Sequence, residues 1–162
     1  MKPIKLIYDK YENDLGLYYE NMPESENELI TMILNLLPQF INDTPVNPKR
    51  VIKIYTWGVK KSTGIETDIT FDLTTFQTKI DPSLDVHSLN GLSEEIQNSI
   101  ILHPKFIDII TRIITMIEME NPRTIGFFCN HGKHRSVGWA ELIKKYYYTD
   151  ARIKHFCKIR NI

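Results

Sequence analysis

Residues 126–139 read GFFCNHGKHRSVGW, and the reading of this stretch decides the fold. An apolar run, TIGFFC (124–129), ends in a cysteine; a glycine, two histidines, a lysine, an arginine and a serine follow; then SVGWAELIKKYYY (136–148) takes a helical period, with Val137, Ala140 and Ile143 or Tyr147 as its inward stripe. The order predicts a short buried strand, a tight loop and a helix. Such a junction is the repeating unit of a parallel α/β sheet.

Working upstream, PKFIDIITRIITMIEME (104–120) is a very apolar helix, with Pro104 at an N-terminal position where proline is tolerated. Ser93 is placed to cap a helix over EEIQNSIILH. VIKIYTWG (51–58) reads as a strand, and ETDITFDLTTF (66–76) as a second one with Ile69, Phe71 and Leu73 on one face. KIDPSLDVHSLNG (79–91) is irregular. Downstream, RIKHFCKIR (152–160) alternates Ile153, His155, Cys157 and Ile159 against Lys154, Phe156, Lys158 and Arg160, which predicts a strand with one basic face. The fold class expected is α/β: a mainly parallel sheet flanked by helices in three layers, with a phosphate-binding strand–loop–helix near the C-terminus.

Residues 1–48 are expected to form an N-terminal extension and 49–162 the α/β domain. PIKLIYDKY (3–11) and LGLYYENM (15–22) can pair as a hairpin around Glu12–Asn13–Asp14. ESENELITMILNLLPQFIN (24–42) is helical in period, with Pro38 expected to kink or divide it. NDTPVNPKR (42–50), polar with two prolines, reads as the linker.

The 162 residues carry 20 Lys+Arg and 20 Asp+Glu, so any nucleic-acid binding must come from a local patch rather than a global field. Two cysteines are too few for a disulfide scaffold. No apolar run has membrane-spanning length, and the charged first residues do not make a signal peptide, so a cytoplasmic protein without membrane contact is expected.

In a parallel sheet, ligands bind beyond the carboxyl ends of strands, near helix N-termini. Residues 130–136 stand there. The helix start offers unpaired N–H groups and a positive partial charge. Gly132 lets the backbone bend toward a ligand, and Arg135 can grip an oxyanion with its planar fork. Asn130, His131, Lys133 and His134 add donors, and Ser136 offers both a cap and a hydroxyl. A phosphorylated small molecule satisfies this set. A plain turn, an ordinary cap and a solvated basic loop would use the same residues.

The segment fits a second pattern as well. Cys129, five residues, Arg135 and Ser136 match the loop of cysteine phosphatases, where a thiolate stabilised by the helix start attacks phosphorus. That chemistry needs a carboxylic acid for the leaving group. Asp72, Asp81 and Asp85 are available, none of them in a Trp-Pro-Asp setting.

GKHRSV (132–137), after an apolar strand with a cysteine, resembles the C-terminal domain of the RNase adapter protein RapZ family, whose stretch is Gly-Cys-Thr-Gly-Gly-x-His-Arg-Ser-Val. Here FCNHGKHRSV has Asn130 for the threonine and His131 for the first glycine of the pair. TDITFDLTTF (67–76), VHSLNGLSEEI (86–96) and RIKHFCKIR are similar, in order, to three further family segments, so the resemblance spans about residues 50–162. It implies a binding and regulatory domain rather than a hydrolase. The family pocket takes glucosamine-6-phosphate, and the domain binds small regulatory RNAs. Carried over, Gly132, His134, Arg135 and Ser136 would hold the phosphate, and Asp72 would face a sugar hydroxyl or order the loop.

The chain also departs from the family. No Gly-x4-Gly-Lys-Ser/Thr motif occurs in it, His87 replaces a family arginine, QTKIDP (77–82) replaces an Asn-Pro-His segment, and the basic tail is reduced to Lys154, Lys158 and Arg160. The expectation is a lone C-terminal module. Its partner would be a phosphorylated metabolite or other small anion at 130–136, with RNA at Lys154, Lys158 and Arg160 as a second candidate partner and no catalytic residue, cofactor or metal; the alternatives are a cysteine-dependent phosphatase using Cys129 and Arg135 and an RNA-binding module without a metabolite ligand.

Overall fold

The computed structural model describes residues 25–40, 46–61, 63–77, 84–85 and 88–157. The hairpin expected within 3–22, part of the linker at 42–50, and Asp81, His87, Lys158 and Arg160 lie outside them. The described elements run, in chain order, α1 (Glu26–Phe40), β1 (Lys53–Gly58), β2 (Ile69–Asp72), α2 (Glu94–Ile101), α3 (Phe106–Glu120), β3 (Thr124–Cys129), α4 (Arg135–Tyr146) and β4 (Arg152–His155).

The four strands form one sheet in the order β2-β3-β1-β4, and every pairing is parallel. β3 and β1 are central, and their registers bring Gly58 beside Cys129 and Trp57 beside Phe128. Ile54, Thr56, Ile125 and Phe127 are fully buried, as central strands of a parallel sheet require. The two edge strands are only four residues long, and their burial alternates. Short edges limit pairing with other chains.

The chain divides into two compact units: Met1–Val46 with Ile101–Met119, and Asn47–Ile100 with Glu120–Ile162. In the first, Ser25 Oγ accepts from the Glu28 N–H at 3.2 Å and so caps α1, and Leu29, Ile30 and Ile33 make its buried stripe. Pro38 does not divide α1; it sits in the last turn, where one missing N–H costs a single helical bond. α3 buries Phe106, Ile107, Ile110, Ile113, Ile114 and Ile117. It begins two residues after Pro104, which lies in the preceding turn, and Asn121 in the left-handed region followed by Pro122 closes it.

The second unit holds the sheet, α2 and α4. α4 lies against β1, β3 and β4. α2 reaches α4 through glycines: a Cβ on Gly91 would stand 2.2 Å from the Gly138 nitrogen, and one on Gly138 would stand 2.5 Å from Ile100 Cδ1. Ser93 does precede α2, but its hydroxyl accepts from the Asn90 N–H at 3.0 Å.

Two expected strands are shorter than their sequence patterns. The 66–76 pattern gives a strand only over Ile69–Asp72, because Asp72 Oδ1 takes the N–H (2.8 Å) and hydroxyl (2.6 Å) of Thr74 and turns the chain. The 152–160 pattern gives β4 over Arg152–His155, followed by bends at Phe156 and Cys157.

Candidate functional site

All four strands point the same way, so Gly58, Asp72, Cys129 and His155 end at one rim of the sheet. The loop 130–134 leaves β3 at that rim and enters α4 at Arg135. The helix starts one residue earlier than the serine suggested. His134 occupies the N-cap position and makes no side-chain cap bond, and Ser136 lies inside the first turn.

The loop is clamped by its neighbours. The Asn130 carbonyl accepts from the Lys60 N–H (3.0 Å), the Lys133 carbonyl from the Gly91 N–H (2.8 Å) and the His134 carbonyl from the Gly138 N–H (2.8 Å). The His131 carbonyl accepts from Cys157 Sγ at 3.0 Å. Gly132 has φ +70°, and a Cβ there would stand 2.5 Å from the Gly58 nitrogen and 2.7 Å from Cys157 Sγ. Both the conformation and the space at residue 132 therefore demand glycine.

No peptide bond in the described chain is cis. In a trans peptide the carbonyl and the next residue's N–H point in opposite directions. Engaging the carbonyls of residues 130, 133 and 134 with Lys60, Gly91 and Gly138 therefore turns the N–H groups of His131, His134 and Arg135 away from those partners.

Cys129 is 2% exposed. Its Sγ accepts the Gly132 N–H at 3.2 Å and lies 3.3 Å from Ser136 Oγ, so both Gly132 and the fully buried Ser136 are engaged with the thiol. Arg135 is half-buried. Its Nη1 donates to the carbonyls of Leu73 (3.1 Å), Thr74 (2.7 Å) and Phe76 (3.2 Å). The arginine expected to grip an anion thus also gathers the turn after β2, the same turn that Asp72 closes from the other side. His131 is exposed, and Asn130, Lys133 and His134 are half-buried. Asp85 is exposed in the 84–85 segment.

Of the three residues expected to form a basic surface, Lys154 is exposed on β4, with its Nζ 4.9 Å from the centre of the Phe156 ring. The sheet adds two cations that the sequence pattern had not grouped with it: Arg152, and Lys53 beside it in register.

The sequence reading also missed a part-buried polar relay. Thr56 Oγ1 lies 2.7 Å from His155 Nδ1, and His155 Nε2 lies 2.9 Å from Glu141 Oε1. The signal available was the placement of His155 among the inward residues of β4; nothing in sequence separation pointed to Thr56 or Glu141. The relay ties β1, β4 and α4 together; Thr56 is fully buried, and His155 and Glu141 are half-buried.

Among the described residues there is no group of three His, Cys, Asp or Glu side chains suited to a metal ion. No helix among them is long and apolar enough to cross a membrane. No curated protein matches the chain. Residues 50–162 match the model of the RapZ C-terminal domain, the span that holds the four-stranded sheet, the clamped loop and α4, and the chain belongs to that family.

Proposed function

We propose that the loop 130–136 is the anion seat of a non-catalytic regulatory module and holds the phosphate of a small phosphorylated metabolite, phosphosugar-like in class. Family membership favours a binding and regulatory role. The observation that carries the reading is the carbonyl clamp: with the carbonyls of Asn130 and His134 bonded to Lys60 and Gly138, the N–H groups of His131 and Arg135 point away from those partners, next to the start of α4, a helix of 12 residues. Successive N–H groups at a helix start make an anion-binding concavity. Arg135, Lys133 and His134 supply charge or further donors around it, and Asp72 keeps the adjoining turn in place. Ser136 supports the seat from beneath through Cys129 rather than by direct contact. The test is a thermal-shift and calorimetric titration with inorganic phosphate and phosphosugars. Binding that is unchanged in Arg135→Ala refutes the proposal.

A second reading, phosphatase chemistry, draws on one observation. Cys129 Sγ accepts a backbone N–H and lies beside the Ser136 hydroxyl, partners that could stabilise a thiolate. Against it, the Asp72 carboxylate caps Thr74 and is not poised as an acid. Phosphatase turnover that vanishes in Cys129→Ser would move this reading to first place.

RNA binding is proposed as an accessory property of the exposed cations Lys53, Arg152 and Lys154, extended by Lys158 and Arg160. Three to five phosphate contacts give a salt slope of roughly −2 to −3.5 for single strands, so retention should fall steeply as salt rises. Retention at physiological salt that survives Ala at Lys53, Arg152, Lys154, Lys158 and Arg160 together refutes this assignment.

A further inference from the structure

The sheet has two unlike faces. His155 reaches Glu141 of α4, and Thr56 stands beside His155 in register, so α4 lies on the face that carries Thr56 and His155. Side chains alternate along a strand, so Lys53, Tyr55, Arg152 and Lys154 belong to the opposite face. Parallel pairing sets them side by side there, Lys53 with Arg152 and Tyr55 with Lys154. The three cations are exposed, and Tyr55 is half-buried. Just past β4, the Phe156 ring joins the same face, 5.7 Å from the Tyr55 ring and tilted 47° to it. Phe156 is 42% exposed, and Lys154 Nζ lies 4.9 Å from its ring centre. A single exposed aromatic is ordinary. Here an exposed ring, a second ring and three cations share one surface. The cations suit any polyanion; the rings add a demand for a flat apolar group within the same ligand. An unpaired nucleobase on a phosphate chain supplies both. In a duplex the base faces are stacked on one another, and an acidic peptide brings charge without a ring at every unit.

We propose that this face is a stacking platform for single-stranded RNA. An unpaired base lies on the Phe156 ring with Tyr55 at its side, and the adjoining phosphates pair with Lys154, Lys53 and Arg152. The proposal rests on the RNA reading of those cations above. It adds two uncharged residues to the surface and a requirement that the strand be unpaired. Aromatic rings backed by cations are the two elements from which single-strand sites are built, because every base has a π-face and every nucleotide a charge. The two kinds of contact also respond differently to salt. A phosphate contact releases counterions and so sets the salt slope, whereas a stacked base releases none. Phe156 therefore contributes affinity without slope, and Lys154 contributes both.

The test measures fluorescence anisotropy of the full chain with three labelled probes across a salt series: oligouridine, an abasic strand of the same length, and an RNA duplex. The unaltered chain should bind oligouridine roughly tenfold more tightly than the abasic strand, the factor that one stacked base supplies. Phe156→Leu, which keeps apolar bulk and charge but removes the π-face, should erase that difference. It should leave the salt slope and duplex binding as they were. Lys154→Ala should instead lower the slope by about 0.7 for both single strands, one phosphate contact. Equal affinity of the unaltered chain for oligouridine and the abasic strand overturns the proposal without recourse to any variant. So does a loss in Phe156→Leu that is the same for both single strands, or displacement of oligouridine by polyglutamate as readily as by unlabelled strand, which would assign the face to an acidic protein. If binding falls with Lys154→Ala yet ignores the bases, the cation reading stands and the platform does not; if no probe binds even at low salt, both fall.

Discussion

Two loops leave the sheet at the same rim, and they are built in opposite ways. The loop after β3 has the carbonyls of Asn130, His131, Lys133 and His134 bonded to its neighbours. The turn after β2 has the carbonyls of Leu73, Thr74 and Phe76 collected by one guanidinium nitrogen of Arg135. The first loop is shaped by the scaffold around it. The second is shaped by a side chain that belongs to the first. An anion that draws Arg135 toward itself must therefore act on the turn after β2 as well, and the two loops form one mechanical unit.

The largest expected effect separates the loops most sharply. Gly132→Ala places a Cβ at φ +70° within 2.7 Å of the β1 backbone and Cys157 Sγ, and should cost about 3 kcal/mol by urea unfolding from strain and overpacking together. Gly64→Ala is the matched control. Its nearest neighbour would be Trp57 Nε1 at 3.7 Å, so the change should stay within about 0.5 kcal/mol. Equal costs at the two glycines would mean that the clamp does not define the loop.

Arg135→Ala should act on both loops at once. Losing bonds from a charged donor is expected to cost about 2 kcal/mol in stability and to speed amide exchange through residues 73–77. Asp72→Ala should act on one loop only. It removes the Thr74 cap, costs about 1 kcal/mol, and leaves exchange in 130–136 as it was.

The smallest effect lies outside both loops. The Tyr147 hydroxyl is buried without a hydrogen-bond partner among the described residues, so Tyr147→Phe should be neutral or stabilising by up to about 1 kcal/mol. Burial also pushes the Tyr147 hydroxyl well above the ordinary tyrosine range. The folded state then keeps a proton that the unfolded chain releases near pH 10, so stability falls as pH rises past that point. Tyr147→Phe should flatten the fall in an unfolding series from pH 8 to 11.

The contrast between the loops also explains what the sequence disclosed. The strand–loop–helix at 124–148 was legible because its apolar run, its glycine and its basic cluster are all local. The parallel α/β class followed from the alternation of elements. The turn after β2 was not legible: the β-prone run continues through Phe76, and only the reach of Arg135 across about sixty residues, with Asp72 folding back on Thr74, ends the strand early. The role of Ser136 was misjudged for a related reason. Serine before a helical run reads as a cap, but the buried Cys129 draws its hydroxyl inward, and the helix begins one residue sooner. The cations at Lys53 and Arg152 went unnoticed because parallel pairing, not sequence spacing, brings them side by side.

The central claim is that the backbone of the loop after β3 holds a tetrahedral oxyanion. The most direct measurement is a two-dimensional amide NMR titration of the intact chain with inorganic phosphate, repeated with a phosphosugar. Saturable shifts concentrated at His131, His134 and Arg135, with smaller ones at Leu73–Phe76, are the expected result. An unperturbed loop at saturating phosphosugar, or shifts confined to the lysines of β1 and β4, would contradict it.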